Sequence, residues 1–119
     1  MKVVVTTVGP DLDSEIEPRF WKAVYFLIVD TQTWQCEALP NPGAPTVHAA
    51  GTRGAILVEQ HKIDASISGD YGPNCYVVLD AAGIRMYLQG LCRTAREAVQ
   101  ALLDGKLQTI YAPTVATPQ

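Results

Sequence analysis

The chain of 119 residues lacks most of the sequence signals that mark a catalytic or zinc-binding protein. It has three cysteines, an odd number, and no Cys-x-x-Cys spacing, so we expect neither a disulfide framework nor a zinc knuckle. Its Gly-Asp-Tyr-Gly-Pro segment, residues 69–73, has the spacing of neither a dinucleotide fingerprint nor a Walker loop. The sequence therefore contains no recognisable catalytic centre, and we predict that the protein is not an enzyme.

Long apolar runs and an excess of positive charge are also missing. The longest apolar run, residues 23–29, is far shorter than the roughly 20 residues that span a bilayer. Polar Thr6 and Thr7 follow the N-terminal valines, which is not the pattern of a signal peptide. A net charge of −3 argues against a broad phosphate-binding surface. We expect a soluble, cytoplasmic protein that has neither nucleic acid nor membrane as a partner.

What is present is the alternation of strands and helices of one globular domain. Apolar runs and period-two patterns predict five strands, at residues 2–8, 23–30, 34–39, 63–68 and 84–88. Three helices are predicted at residues 46–62, from Pro73 to Gly83, and from Ala95 to Gly105. The third helix begins with a capping box, Thr94 to Glu97. We assign residues 1–107 to the domain and residues 108–119 to an extended or frayed tail.

The order β-β-β-α-β-α-β-α predicts an α/β fold with a ribonuclease-H-like mixed sheet. Right-handed crossovers give the strand order 3-2-1-4-5, in which only the second strand is antiparallel. Strands one, three, four and five then end at one edge, where the chain leaves toward both sides and forms a topological switch point. Four loops converge on this edge, at residues 9–22, 40–48, 69–74 and 89–93. Two helices also begin there, and their positive dipole ends favour an anion.

The residues that these loops deliver are cationic or carry sulfur. The positive or protonatable side chains are Arg19, Lys22, His48, Arg53 and Arg93. The thiols are those of Cys75 and Cys92, whereas Cys36 lies mid-strand at the other side of the sheet, where we expect a packing residue. Soft sulfur, imidazole and backbone amides suit an anionic metal–sulfur species better than a phosphate or a hard cation.

Simpler interpretations of these residues stay open. A histidine at a helix start, such as His48, is often only a cap or a surface residue. Free cysteines are often small buried hydrophobic residues. The carboxylates of residues 11–17 lack the glycine and the terminal spacing of a calcium loop, so we interpret them as a solvated acidic loop.

Eight short segments, in matching order over about nine-tenths of the chain, resemble the dinitrogenase iron–molybdenum cofactor-binding family. They are KVVVTT at 2–7, DLDS at 11–14, RF at 19–20, YFLIVD at 25–30, HAAG at 48–51, GPN at 72–74, AGI at 82–84 and GKL at 105–107. The family usually has Arg-Phe-Gly-Arg or a similar motif where this chain has Trp21 and Lys22 after Phe20. Trp21 adds a large apolar group at the rim of the expected pocket.

The resemblance implies a ribonuclease-H-like fold that binds a preformed molybdenum-containing sulfide cluster non-covalently. The cluster would be of the iron–molybdenum type or, as in the small orange proteins of the family, a molybdenum–copper sulfide. The histidine at the position of His48 is the residue most often linked to the cofactor in this family. We predict the cluster-binding residues Arg19, Lys22, His48, Gly72, Asn74, Cys75, Cys92 and Arg93. The candidate metal ligands among them are His48, Cys75 and Cys92.

We compare three candidate functions for this pattern. The first is a carrier or store that holds an anionic thiometallate cluster without turnover. The second, a nuclease, needs carboxylates that project from the first strand to hold metal ions, and residues 3–8 contain none, so we reject it. The third is an interaction module of a larger assembly, for example with an ATPase, that has no obligatory cluster and engages cytoplasmic protein partners.

Overall fold

The computed structural model of the chain describes residues 1–43 and 47–115, and the side chains of residues 47–51 lie outside that description. The strands are β1 Lys2–Thr7, β2 Tyr25–Asp30, β3 Cys36–Pro40, β4 Ala65–Ser68 and β5 Arg85–Leu88. The helices are α1 Val47–Glu59, α2 Pro73–Ala81 and α3 Ala95–Leu103, and a 3-10 turn spans Phe20–Lys22. The predicted order of strands and helices is confirmed.

The five strands form one sheet in the order β3-β2-β1-β4-β5. β2 runs antiparallel to both of its neighbours, β1 and β3. β4 is parallel to β1, and β5 is parallel to β4. The predicted mixed α/β sheet, with only the second strand reversed, is therefore confirmed, and β1, β3, β4 and β5 all end at the same edge. We call this edge the carboxyl edge.

The run of valines in β1 is buried because the sheet is covered on both faces. Successive side chains of a strand point to opposite faces, so Val4 packs in the layer that contains Leu79 of α2. Val3 and Val5 pack in the opposite layer with Val99 of α3. A continuous apolar strand is what two covered faces require.

The first helix approaches the sheet closely at a glycine. A Cβ atom placed on Gly54 would lie 2.6 Å from the Cζ of Phe26 in β2, so the glycine that weakens the helical pattern permits this contact. The helix ends at Glu59, earlier than predicted. Lys62 follows with a positive φ of 51°, and β4 begins only at Ala65.

Cys36 corrects one prediction, because it is exposed rather than packed. The strand β3 begins at Cys36 and not at Trp34, which has a positive φ of 62°. The strand lies at the outside of the sheet, as its polar residues predicted. A side chain at the start of an outer strand has few neighbours, which explains the exposure.

The chain after residue 107 runs along the free side of β5. The amide of Leu88 donates to the carbonyl of Gln108 at 2.9 Å, and the amide of Ile110 donates to the carbonyl of Met86 at 3.0 Å. An antiparallel bridge joins Tyr87 and Thr109. Residues 108–110 thus continue the sheet as extended chain, while residues 116–119 lie outside the described part. Across the described ranges, no helix is both long and apolar enough to cross a membrane.

Candidate functional site

At the carboxyl edge, one backbone carbonyl oxygen accepts hydrogen bonds that join two loops. The oxygen of Pro18 accepts hydrogen bonds from the amides of Gly69 at 2.9 Å and Asp70 at 2.6 Å, and from the hydroxyl of Ser68 at 3.2 Å. A Cβ atom on Gly69 would lie 2.8 Å from this same oxygen. The loop after β1 and the loop after β4 are therefore held in backbone contact, and only glycine fits between them.

Further hydrogen bonds bring in the loop after β5 and the end of β3. The amide of Ile16 donates to the carbonyl of Arg93 at 2.8 Å. The side-chain amide of Asn41 donates to the carbonyls of Ala23 at 2.8 Å and Trp21 at 3.3 Å. The predicted meeting of residues 9–22, 69–74 and 89–93 is thus observed. Of the loop at residues 40–48, residues 44–46 lie outside the described part.

Buried hydroxyl groups under this edge were missed by the sequence reasoning. The Oγ1 of Thr6 lies 2.8 Å from the carbonyl of Glu17 and 2.8 Å from the Oγ of Ser68. Both hydroxyl residues are almost fully buried. Polar residues at the carboxyl ends of otherwise apolar strands are the signal that could have located this network, since buried hydroxyls are normally hydrogen-bonded.

Three of the predicted cations, Arg19, Lys22 and Arg93, are exposed at the carboxyl edge. Arg19 is the N-cap of the 3-10 turn, Lys22 is its last residue, and Arg93 precedes the capping residue of α3. The guanidinium of Arg93 lies 3.5 Å from the carboxylate of Glu15, and the two side chains are 79% and 64% exposed. Such an exposed pair is weak, so Arg93 keeps most of its charge available to a ligand.

The N-terminus of α2 also opens on this edge. Gly72 is its N-cap, with extended φ and ψ of −77° and 169° and without a side-chain cap. Pro73 occupies the first turn, as predicted, and the half-buried Asn74 follows it. The positive end of the helix dipole at Gly72 and Asn74 favours an anion.

The two cysteines predicted at the site are not equivalent. Cys75 is fully buried in the core, and its thiol donates to the carbonyl of Gly72 at 3.3 Å. Burial raises the pKa of this thiol to about 12. Cys92 is half-buried, and burial together with the nearby Glu97 carboxylate raises its pKa. Both effects oppose the thiolate form that binds metals.

The metal-ligand roles predicted for His48, Cys75 and Cys92 stay predictions. The backbone of His48 lies in the first turn of α1, and its side chain is outside the description. The burial of the Cys75 sulfur argues against its direct ligation. No group of three or more His, Cys, Asp or Glu residues that could hold a metal ion occurs among the residues that the structure describes.

We predict that the cysteines react with iodoacetamide in the order Cys36, Cys92, Cys75. Cys36 is exposed, whereas Cys75 is buried and its thiol is protonated at pH 8 because its pKa is near 12. Mass spectrometry of the folded protein during alkylation at pH 8 measures the order. Cys75 should react only after urea is added, and labelling of Cys75 at the rate of Cys36 would show that its sulfur is accessible to metal.

Two buried polar atoms near the carboxyl edge have no hydrogen-bond partner among the described residues, the Nε1 of Trp21 and the Oε1 of Gln89. The Nε1 group is a donor, and a buried unpaired donor costs about 1–3 kcal/mol, so a sulfide that reaches it when the neighbouring side chains move would be a suitable partner. The ammonium of Lys22 lies 5.5 Å from the centroid of the Trp21 ring. The Oε1 of Gln89 is an acceptor and does not suit an anion. The donors around Trp21 therefore fit a sulfide-rich ligand.

The fold and this edge define a ribonuclease-H-like α/β domain whose first strand, within the described residues, carries no carboxylate for metal catalysis. The chain belongs to the family described as dinitrogenase iron-molybdenum cofactor, whose model matches residues 1–105. The resemblance found in the sequence is thereby confirmed.

The similarity of the chain to individual known proteins supports its membership of this family. The apo form of the orange protein from Desulfovibrio gigas has a TM-score of 0.89 and 32% identity, with 96% of both chains covered. A putative NifB protein from Thermotoga has a TM-score of 0.79 and 28% identity, with 96% of this chain and 98% of the other covered. An uncharacterised protein of Methanocaldococcus jannaschii is 26% identical over 112 residues, which are 91% of this chain and 94% of that protein.

Proposed function

We propose that this protein is a non-catalytic, cytoplasmic carrier or store that holds a molybdenum-containing sulfide cluster non-covalently at the carboxyl edge. The observation that carries the proposal is the assembled edge itself. Backbone hydrogen bonds fix three loops there, and the exposed cations Arg19, Lys22 and Arg93 surround it on a protein of net charge −3. Family membership and the similarity to an orange protein support the molybdenum-containing ligand.

The chemistry of the ligand explains why so few metal ligands are needed. The metals of a thiometallate are already saturated with sulfide, so the cluster requires compensation of its negative charge rather than protein bonds to metal. Charge is costly to leave unpaired when it is partly removed from water. Arg19, Lys22 and Arg93 supply the positive charge, and Trp21 with the backbone amides of Gly72 and Asn74 supplies hydrogen-bond donors to sulfide.

A molybdenum–copper sulfide and an iron–molybdenum cluster are both candidates, because each is a preformed, sulfide-rich species. Metal analysis of protein purified anaerobically from its native host identifies the metals. Molybdenum with copper indicates the first cluster, and molybdenum with iron indicates the second.

The direct test is anaerobic titration with tetrathiomolybdate, alone and with copper, followed by visible absorption and gel filtration. The expected result is a coloured species that co-elutes with the protein. Trp34 lies in the β2–β3 hairpin, far from the carboxyl edge, so a Trp34→Phe variant leaves Trp21 as the single reporter. Its fluorescence should fall on binding, whereas the fluorescence of Trp21→Phe should stay nearly constant. Elution of all molybdenum with the small molecules would refute the proposal.

The alternative is an interaction module without an obligatory cluster, for example a partner of an ATPase. One observation favours it: Leu91 is 99% exposed and lies beside a groove of about 540 Å³. Cys92 and Leu107 also line this groove. Exposed apolar surface of this kind is often a protein contact. Under this alternative, native protein is colourless and free of molybdenum.

A further inference from the structure

The backbone of Tyr71 is held by a residue from the end of the described chain. The amide of Tyr71 donates to the Oγ1 of Thr114 at 2.8 Å. The amide of Thr114 donates back to the carbonyl of Tyr71 at 2.9 Å. One residue thus binds both the amide and the carbonyl of another that lies 43 positions earlier.

The side chain of Tyr71 is held by hydrogen bonds to strands β4 and β5. The residue is fully buried, and its hydroxyl lies 3.0 Å from the Oγ of Ser66 and 3.0 Å from the carbonyl of Tyr87. Its ring centroid is 5.9 Å from that of Phe20, which lies between Arg19 and Trp21. Tyr71 therefore connects the sheet with the 3-10 turn, and its position determines where the next residue, Gly72, lies.

We define residues 108–114 as the strap. Its first part pairs with β5 through Gln108 and Ile110, and its last residue makes the contacts to Tyr71. The match to the family model ends at residue 105, so the strap lies outside the matched region.

We infer that Thr114 is a positioning residue for the cluster-binding edge, and that the strap holds Tyr71 and Gly72 so that the N-terminus of α2 stays directed at the ligand. The inference rests on the function proposed above. Thr114 need not touch the cluster, because it acts through the backbone of Tyr71. Loss of its hydroxyl removes the acceptor of the Tyr71 amide and lets the N-cap of α2 move, while the backbone bond from Thr114 to Tyr71 is retained.

The test compares Thr114→Val with Thr114→Ser. Valine keeps the shape of threonine without the hydroxyl, and serine keeps the hydroxyl. Tetrathiomolybdate bound to Thr114→Val should be released about two- to ten-fold faster than from the parent, the range expected for one lost hydrogen bond. The visible circular dichroism of the bound anion should also change. Thr114→Ser should restore both the release rate and the spectrum.

Thr109→Val is the matched control, because Thr109 belongs to the same strap and pairs with Tyr87 at the backbone. It should release the anion at the parent rate. Amide hydrogen exchange at Tyr71 should be faster in Thr114→Val and unchanged in Thr109→Val, which separates a local effect from unfolding. Release and dichroism unchanged in Thr114→Val would overturn the inference. If the parent itself holds no tetrathiomolybdate, the proposed function fails and this inference falls with it.

Discussion

Gly69→Ala is expected to lower the free energy of unfolding by about 1–3 kcal/mol, as overpacking does, and to abolish most thiometallate binding. The added Cβ would lie 2.8 Å from the carbonyl oxygen of Pro18 and 2.9 Å from its Cβ. The first of these atoms is backbone, so the loops after β1 and β4 must separate. Arg19, which follows Pro18, then leaves its place at the carboxyl edge.

Urea denaturation and anaerobic titration measure the two effects of Gly69→Ala separately. A suitable control is Gly83→Asn at the opposite edge of the sheet. A Cβ on Gly83 would meet nothing within 4 Å, and its φ of +74° is one that asparagine tolerates better than most residues. The control should bind normally. Undiminished binding by Gly69→Ala, despite lower stability, would mean that the ligand does not depend on the contact between these loops.

The double variant Arg19→Ala/Arg93→Ala should bind tetrathiomolybdate more weakly by roughly 10- to 100-fold at low salt, because hydrogen bonds to charged groups are the stronger ones. Binding by the parent should weaken as salt is added, and this dependence should be shallower in the variant. Both side chains are exposed, so little change in stability is expected. Arg85→Ala, which removes an exposed arginine at the opposite edge, is the matched control.

Direct thiolate ligation predicts a different pattern from this electrostatic one. Binding would then be insensitive to salt, and Cys75→Ser or Cys92→Ser would lose the cluster while Arg19→Ala/Arg93→Ala kept it. X-ray absorption of the loaded protein detects a cysteinyl sulfur bonded to metal. The burial of Cys75 and the raised pKa values of both thiols favour the electrostatic mode.

The topology was predictable because the apolar patterns of this chain are strong. The valines of β1 indicated a strand covered on both faces, and α2 and α3 do cover opposite faces. The right-handedness of crossovers then left one simple sheet order. The capping box was also readable, since the Thr94 side chain accepts from the amide of Glu97. Local chemistry and general topological rules were sufficient for these features.

The details of the edge were not predictable, because they depend on contacts between residues distant in sequence. Nothing in the periodicity shows that the Pro18 carbonyl accepts three hydrogen bonds from residues 68–70. The position of Cys75 in the first turn of α2 indicated closeness to the edge but not the direction of its sulfur, which is buried. The polar, proline-containing sequence after residue 107 also gave no sign that this segment pairs with β5. That pairing uses backbone amides and carbonyls, and the side chains therefore do not reveal it.

The contact between Tyr71 and Thr114 also orders events during protein synthesis. Because the two residues are 43 positions apart, a ribosome must add Thr114 and release it from the exit tunnel before the loop in front of α2 is fixed. Residues up to 107 supply the sheet and the helices on both of its faces, so they leave the ribosome before the strap does. A nascent chain therefore completes its carboxyl edge last, and we expect loading with a cluster to require Thr114 to be free of the ribosome.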